Sequence, residues 1–433
     1  MLAMQLGLAL SMPRIFSPVS LDLQDKVIER MFERYDNTLH RTLLPPLTAM
    51  QTACANDLRL RGLLPRFIAQ EERIVSAWKS NTRALRAIIQ PFNPVLVLAS
   101  EPEKCGAAAV GNRDSDSKRW SSTCDGYSRG ESIVSHLIRD WSDECVAVRA
   151  STYAPVVAAL QRHLPTAAST VLVPGAGLAR LAYEIASTGE HVVVEAIECS
   201  LTMLAAARSV LEHIHASGSP PPVVVYPNAA RMLNQRAASD RAWSIAIGAG
   251  GAASDVAARR RSVERISLVH AGFIEATRAR IARGDGGVDA IVTVFFIDVC
   301  DDVVACVDAI ASVLKPGGVW LNNGPLKYHF VDEEDEDAVA ATLNEERDDR
   351  GRFKNGTKRR PFEVESAAVR RNRSKASSLA QRPLLSIDEI VAVAEALGFD
   401  VELQGARSVR YGCERTMQPS IYEGIPLMVA TKR

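Results

Sequence analysis

The stretch "VLVPGAGLARLAYEIASTGEHVVVEAIECS", residues 171–200, decides the fold of this chain. An apolar, β-branched run is followed by a glycine turn, a helical stretch, a second β-branched run and an acid. This order is typical of a strand–turn–helix–strand unit that binds a nucleotide-like ligand at the carboxyl ends of its strands. Because several unrelated chemistries use such a unit, the ligand has to be inferred from residues at particular positions.

Composition excludes some classes of protein. The chain has 433 residues with 51 basic and 51 acidic side chains, so no net charge recruits nucleic acid or an anionic membrane. Its eight cysteines form no C-x-x-C pair, which is typical of reduced thiols in an intracellular protein. The apolar start is too short to span a bilayer, which needs about 18–20 residues. It also lacks the usual signs of a signal peptide. We expect a cytoplasmic protein, with a nuclear location as an alternative and no membrane partner.

The rhythm of apolar residues divides the chain. Residues 19–95 have helical spacing and are followed by a polar loop, so we predict an N-terminal helical region and linker over 1–130. From Val171 onward β-branched runs alternate with helices, which indicates a parallel α/β sheet in a domain over 131–433. Two segments, 215–265 and 331–383, interrupt it and are predicted to be mobile insertions. The second has 12 acids and 12 bases with few apolar residues, too few to form a core.

The glycine turn favours S-adenosylmethionine over a dinucleotide. Gly175 and Gly177 are present, but Arg180 stands where G-x-G-x-x-G needs a third glycine for close packing of the helix on the strand. S-adenosylmethionine has no pyrophosphate and requires a close backbone approach plus an acid for the ribose hydroxyls. Glu198 follows the second strand at a fitting interval, and Glu195 on the same strand is a rival.

Two later stretches support this interpretation. "VDAIVTVFFIDVC", residues 288–300, predicts a buried strand that leads into Asp298, and "VLKPGGVWLNNGPL", residues 313–326, predicts a helix end, a Pro-Gly-Gly turn and a strand. Together with the glycine turn they predict a class I S-adenosylmethionine-dependent methyltransferase, a Rossmann-like fold with a mostly parallel seven-stranded sheet. The N-terminal helical region precedes it.

Four stretches carry a family resemblance: "HLIRDWSDE" (136–144), "VLVPGAGLARLAYEIA" (171–186), "FFID" (295–298) and "GPLKYHF" (324–330). Together they resemble the N2227-like family, whose characterised activity is carnosine N-methyltransferase. The resemblance covers roughly residues 130–330 and 384–430. It implies an imidazole dipeptide as the small-molecule substrate, with no nucleic-acid partner, and it leaves a homodimer open.

The resemblance also implies roles for individual residues. The residues that fall on cofactor-binding positions are His136 (where the family has Gln), Arg139, Gly175, Gly177, Glu198 and Phe273. Those on the catalytic or substrate-contacting positions are Asp298, His329 and Tyr422. The chain departs from the family pattern in three places. Ala179 replaces a glycine, residues 197–200 read "IECS", and no acid stands between Gly272 and Phe273, where Glu275 is a candidate replacement.

The expected chemistry is an in-line displacement on a sulfonium, which needs no metal, and no zinc-ligand spacing occurs in the sequence. An imidazole is a competent nucleophile near neutral pH. Asp298, by accepting a hydrogen bond from one ring N–H, would fix the tautomer and stabilise the imidazolium; His329 would orient the substrate. Asp298 as a helix N-cap is the structural alternative. Methylation of histidine in a peptide or protein, and a non-catalytic binding protein with this fold, are the functional alternatives.

Overall fold

The computed structural model describes residues 14–16, 21–89, 130–229, 237–248, 255–300, 302–328, 384–412 and 421–433. The helices in these ranges are α1 Leu21–Thr38, α2 Leu44–Asn56, α3 Leu64–Ile88, α4 Gly130–Trp141, α5 Val146–Thr152, α6 Ala154–His163, α7 Arg180–Ala186, α8 Leu201–Ser217, α9 Val256–Glu264, α10 Phe273–Arg283, α11 Val303–Val313 and α12 Ile387–Ala396. The strands are β1 Arg14–Phe16, β2 Ser169–Pro174, β3 Val192–Glu198, β4 Val223–Val225, β5 Ile245–Ile247, β6 Ile266–His270, β7 Val288–Val294, β8 Leu314–Asn323, β9 Phe399–Arg410 and β10 Ile421–Lys432. Among these described helices, none has the length and apolar character of a membrane span.

The main sheet has the strand order β1-β6-β3-β2-β7-β8-β10-β9. Strand β10 is antiparallel to both of its neighbours, and the other pairs are parallel. The predicted mostly parallel α/β sheet is therefore confirmed over seven strands, β6 to β9 in that order, and β1 is added at the edge. Strand order reverses between β2 and β7, which is where doubly wound sheets bind their ligands.

The central strands are buried on both faces, as parallel strands covered by helices must be. Strand β2 is apolar and buried along almost its whole length, and β7 has the same character. These β-branched runs pack well on a pleated surface, and their continuous apolar character marks the centre of the sheet.

The predicted N-terminal helices form and share the core of the α/β part. Tyr35 of α1 stacks on Trp78 of α3 with ring centroids 4.0 Å apart, and both side chains are buried. One continuous apolar cluster joins these residues to α4, α8 and the sheet. Helices α1 to α3 therefore belong to the same packed body as the sheet.

The described part of residues 215–265, which composition predicts to be a mobile insertion, contains two short strands. Strands β4 and β5 form a separate antiparallel pair, and Val225, Ile245 and Ile247 are buried. Asn81 of α3 holds this pair through two hydrogen bonds, because its amide donates to Tyr226 O at 3.0 Å and accepts from Tyr226 N at 2.7 Å. These short β-branched runs are therefore held against α3, a contact that composition alone does not predict. The predicted insertion at 331–383 lies outside the described residues.

Candidate cofactor and substrate site

Seven strand ends and one strand start lie at a single edge of the main sheet. The parallel strands β1, β2, β3, β6, β7 and β8 end there, and so does β9, because both β8 and β9 are antiparallel to β10. For the same reason β10 begins at that edge. Loops at this edge lie around the switch point between β2 and β7, the expected place for a ligand in an open α/β sheet.

The turn after β2 approaches helix α4 closely. Gly175 and Gly177 have left-handed backbones, with φ of 62° and 54°, as predicted for a glycine turn. A Cβ built on Gly177 would lie 3.3 Å from His136 Cδ2 and 3.9 Å from Arg139 Nη2. Ala179, which replaces a family glycine, is also left-handed with φ of 59°. The turn therefore keeps its shape at this position despite the added methyl group.

Glu198 faces the glycine turn from the end of β3. Its Oε2 accepts a hydrogen bond from Gly177 N at 2.9 Å, and its Oε1 accepts one from Ser200 N at 2.8 Å. Burial raises the pKa of Glu198, and the two backbone donors oppose that shift. The rival acid, Glu195, instead pairs with Arg280 of α10 at 2.6 Å. Glu198 also accepts hydrogen bonds from Cys199, and these oppose the rise of its pKa as well.

Arg139 is held in place by its sequence neighbour. Its Nε and Nη2 donate to the two carboxylate oxygens of Asp140 at 2.8 and 3.1 Å, and Tyr153 OH donates to the same carboxylate at 2.9 Å. Burial would raise the pKa of Asp140, but the Arg139 guanidinium outweighs it and the pKa is lowered. A charged, oriented guanidinium therefore lies beside the glycine turn, where it can bind a carboxylate.

His136 lies one helical turn before Asp140 and is neutral near pH 7. Burial, followed by the charge of Arg139, lowers the pKa of His136 to about 4. Its Nδ1 is 2.8 Å from Ser132 O, so Nδ1 carries the proton and donates, leaving Nε2 as an acceptor. Tyr411 OH is 3.5 Å from that Nε2. His136 thus presents a neutral acceptor at the position where the family has a glutamine.

Phe273 connects the loop after β6 to the glycine turn. Its ring packs edge-on against Phe296 with centroids 5.8 Å apart, and Phe296 in turn covers Gly175. The carboxylate of Glu275 folds over Gly272, where a side chain would collide with it. Glu275 therefore places a carboxylate at the loop where this chain lacks the acid of the family pattern.

Asp298 lies in a one-turn helix, Ile297–Val299, directly after β7, and its side chain is only 2% exposed. Its Oδ2 accepts a hydrogen bond from Lys327 N at 3.2 Å, so it joins the ends of β7 and β8. The N-cap of the following helix α11 is Asp302. The structural alternative, in which Asp298 caps that helix, is therefore wrong.

An aromatic cluster stands next to Asp298. Phe295 has a left-handed backbone with φ of 53°, a conformation that costs energy in a residue with a side chain and tends to mark functional sites. Its ring packs edge-on against Tyr411 at 5.0 Å and lies 6.3 Å from Tyr422. The guanidinium of Arg139 lies over the Tyr411 ring at 4.8 Å. Tyr411 therefore connects the cofactor-side residues to the predicted substrate side.

Most of the predicted residues come together at this edge. The structure places His136, Arg139, Gly175, Gly177 and Glu198 around the glycine turn. Phe273 packs on the ring that covers Gly175, and Tyr422 lies against Phe295, three residues before Asp298. His329 lies outside the described residues. Asp140, Tyr153, Phe295 and Tyr411 also lie at this site and were not predicted from the sequence. Tyr411 follows a strand with weak alternation, so only its place at the end of β9 could have indicated it.

The residues present fit S-adenosylmethionine. Glu198 offers acceptors for ribose hydroxyls, Arg139 offers a cation for the methionyl carboxylate, and the two glycines leave the backbone open to close approach. Arg180, the residue that argues against a dinucleotide turn, pairs with Glu184 at 2.8 Å and lies over the Trp141 ring. In the ranges that the structure describes, no three potential metal ligands are grouped.

The sheet order, the glycine turn and the acid after β3 define a class I S-adenosylmethionine-dependent methyltransferase. The family model described as Carnosine N-methyltransferase matches residues 117–423. The chain belongs to this family, and the resemblance seen in the sequence is confirmed.

Individual relatives agree with the family. Carnosine N-methyltransferase of Schizosaccharomyces pombe is 31% identical over 207 residues, 47% of this chain and 52% of the relative. Its counterpart from Mus musculus is 31% identical over 206 residues, 46% and 48% of the two chains. The chain thus aligns with about half the length of each. A solved Haemonchus contortus phosphoethanolamine N-methyltransferase 2 is similar at 15% identity, with a TM-score of 0.32, over 66% of this chain and 46% of that one.

Proposed function

We propose that this chain transfers a methyl group from S-adenosylmethionine to an imidazole nitrogen of carnosine or a related histidine-containing dipeptide, converting carnosine to anserine. The observation that carries the proposal is the buried carboxylate of Asp298 at the end of β7, next to an aromatic cluster that reaches the cofactor-side residues. The names of the relatives support the same acceptor.

The cofactor supplies an electrophilic methyl group on a sulfonium. In the proposal, Arg139 binds the methionyl carboxylate of the cofactor and Glu198 binds its ribose. Gly175 and Gly177 carry no side chain, so the cofactor can lie close to the backbone of the turn. Phe273 packs against the adenine, and Glu275 takes the part of the missing acid. His136, being neutral, adds an acceptor without adding charge beside Arg139. These contacts fix the direction in which the methyl group points, which is a large part of the catalysis of a displacement.

Asp298 selects and activates the acceptor. Its carboxylate accepts a hydrogen bond from one ring N–H and thereby leaves the other nitrogen unprotonated and free to attack. As the methyl group arrives the ring becomes cationic, and a carboxylate that is 2% exposed stabilises this charge in surroundings of low dielectric constant. The interaction grows along the reaction, so it lowers the barrier more than it stabilises bound substrate.

Aromatic side chains form the wall of the substrate site. Phe295 and Tyr422 lie at centroid separations typical of ring packing, and a flat imidazole fits against such surfaces. The amino group of Lys327 lies 6.0 Å from the Tyr422 ring centroid and offers a cation for the dipeptide carboxylate. His329, two residues after Lys327, is proposed to orient the substrate.

The experiment that tests this function is incubation with labelled S-adenosylmethionine and a panel of acceptors. The panel contains carnosine, other histidine dipeptides, a dipeptide with alanine in place of histidine, and a longer histidine peptide. We expect ring-methylated products from histidine dipeptides only. Methylation of the longer peptide alone would favour the protein acceptor, and cofactor binding without any product would favour a non-catalytic role.

A further inference from the structure

Two cysteines beside the proposed catalytic turn have no part in the chemistry above. Cys300 ends the one-turn helix that contains Asp298, and Cys306 lies in the first turn of α11. Their Sγ atoms are 3.4 Å apart. Cys300 is partly exposed, whereas Cys306 is buried. Cys300 therefore lies at the boundary with solvent, and Cys306 touches it from the core.

We propose that Cys300 and Cys306 form a disulfide modification site, oxidised by a hydroperoxide such as hydrogen peroxide. A disulfide bond is about 2.05 Å long, so the sulfur atoms must approach by little more than 1 Å from their observed separation.

The oxidation proceeds in two balanced steps. The Cys300 thiolate attacks one oxygen of hydrogen peroxide, so an S–O bond forms, the O–O bond breaks and hydroxide leaves to become water. The product is a sulfenic acid on Cys300. The Cys306 sulfur then attacks the Cys300 sulfur, so the S–S bond forms and the S–O bond breaks. The departing hydroxide takes the Cys306 proton, and the net change is two thiols and one peroxide to one disulfide and two waters.

The disulfide would displace Asp298. Cys306 lies in the core with Val303, Val307 and Ile310, all fully or almost fully buried, so Cys300 has to make most of the movement. Cys300 N donates to Ile297 O at 3.3 Å, which couples Cys300 to the turn that holds Asp298. A misplacement of about 1 Å near a reaction centre can cost roughly 10²-fold in rate. This consequence rests on the proposed function, and the disulfide itself does not.

The test uses the full chain, first reduced and then treated with hydrogen peroxide, alkylated and digested with trypsin. Residues 284–327 form one tryptic peptide, because proline follows Lys315, and it contains only these two cysteines. We expect this peptide to weigh two hydrogens less than its reduced form and to take no alkyl group. Carnosine turnover is expected to fall about 10- to 100-fold and to return with dithiothreitol.

Three variants separate this pair from the other thiols. Cys300→Ser, at a partly exposed position, is expected to fold, to lose the cross-link and to keep its turnover after peroxide. Cys306→Ala is expected to lose the cross-link as well. Cys54→Ala, which removes a buried thiol on α2, should respond like the wild type.

Three results would overturn a part of the proposal. Complete alkylation of both cysteines after peroxide would overturn the modification site itself, whereas inactivation that persists in Cys300→Ser, or a cross-linked protein with unchanged turnover, would overturn the proposed displacement of Asp298. The mass of the peptide is measured without turnover. A protein that forms the disulfide but never methylates carnosine would therefore contradict the proposed function and leave the modification site supported.

Discussion

At the scale of single residues, the partners of each carboxylate decide whether it can take part in binding or catalysis. Glu195, Glu198 and Asp298 all follow or lie on β-branched runs, but their partners differ. Glu195 is paired with an arginine on the far side of the strand, Glu198 accepts from the glycine turn, and Asp298 is held by the backbone of the next strand end. Only the last two face the edge where ligands bind.

Asp298→Asn tests the transition-state role of this carboxylate. The amide keeps the size of the side chain but removes the charge and can present a donor to the ring N–H. We expect kcat for carnosine to fall roughly 10²-fold or more, while the Kd for S-adenosylmethionine changes little, as for loss of other preorganised electrostatic groups. Turnover and calorimetry measure the two quantities, and a near wild-type kcat would leave Asp298 as a structural link between β7 and β8.

Glu198→Gln tests the ribose contact, with Glu195→Gln as the matched control on the same strand. The amide cannot accept from all of the donors that Glu198 serves. We expect S-adenosylmethionine binding to weaken by about 1.5–3 kcal/mol, in the range for hydrogen bonds to a charged group. Glu195→Gln loses its pairing with Arg280 and should leave the Kd unchanged. Equal losses in the two variants would count against the assignment.

His136 makes stability depend on pH. The pKa of His136 is lowered from 6.5 to about 4, so between these pH values the unfolded chain binds a proton that the folded chain does not. The free energy of unfolding should therefore fall as the pH drops from 6.5 towards 4, by about 1–3 kcal/mol from this group. His136→Gln should show a shallower fall in urea denaturation at several pH values. Parallel pH profiles for the two proteins would be inconsistent with a neutral His136.

At the scale of elements, left-handed residues shape the glycine turn, and aromatic side chains of the neighbouring loops pack around it. Gly175, Gly177 and Ala179 of the turn all have left-handed backbones. The ring of Phe296, in the loop after β7, covers Gly175. The hairpin of β9 and β10 adds two further aromatic side chains to the same site. Because β10 runs against the sheet, Tyr411 and Tyr422 are brought to the ligand edge from opposite directions.

Gly175→Ala tests the packing of the turn, with Gly284→Ala as a control of like backbone. Both glycines are left-handed, with φ of 62° and 71°, so each substitution should cost about 1–2 kcal/mol of stability. A Cβ on Gly175 would lie 2.6 Å from Phe296 Cδ2, whereas nothing lies within 4 Å of one on Gly284. We expect only Gly175→Ala to weaken S-adenosylmethionine binding as well. Calorimetric titration of both variants decides this.

At the scale of the whole molecule, the N-terminal helices and the sheet share one core. The Tyr35–Trp78 stack lies far from the ligand edge along the chain, yet the same apolar cluster extends to α4, which contains His136 and Arg139. A destabilising substitution in the helical region should therefore lower the free energy of unfolding of the whole fold.

Trp78→Ala and Trp78→Phe test this coupling. Truncation of a buried tryptophan to alanine should cost about 3–5 kcal/mol. Trp78→Phe should cost much less, because it keeps the ring and removes an indole N–H that has no hydrogen-bond partner among the described residues. We expect a single unfolding transition in each variant, followed by circular dichroism. A separate early transition in Trp78→Ala, with the sheet unaffected, would falsify the shared core.

The sequence by itself determined the class of fold, the family and the glycine–acid pair, because these depend on local patterns. A β-branched run, a left-handed turn and a strand-end acid are adjacent in the chain and constrain one another within 30 residues. The same locality let "RDW" and "FFID" indicate Arg139 and Asp298.

Tertiary structure alone decided the contacts between distant segments. It directed Glu198 to the glycine turn and Glu195 to Arg280, and it brought Tyr411 to Arg139 through the reversed direction of β10. It also joined Tyr226, at the end of β4, to Asn81 of α3, and it set Cys306 against Cys300 at the start of a helix. Such contacts depend on which surfaces meet when the core packs, and composition and periodicity carry no information about them.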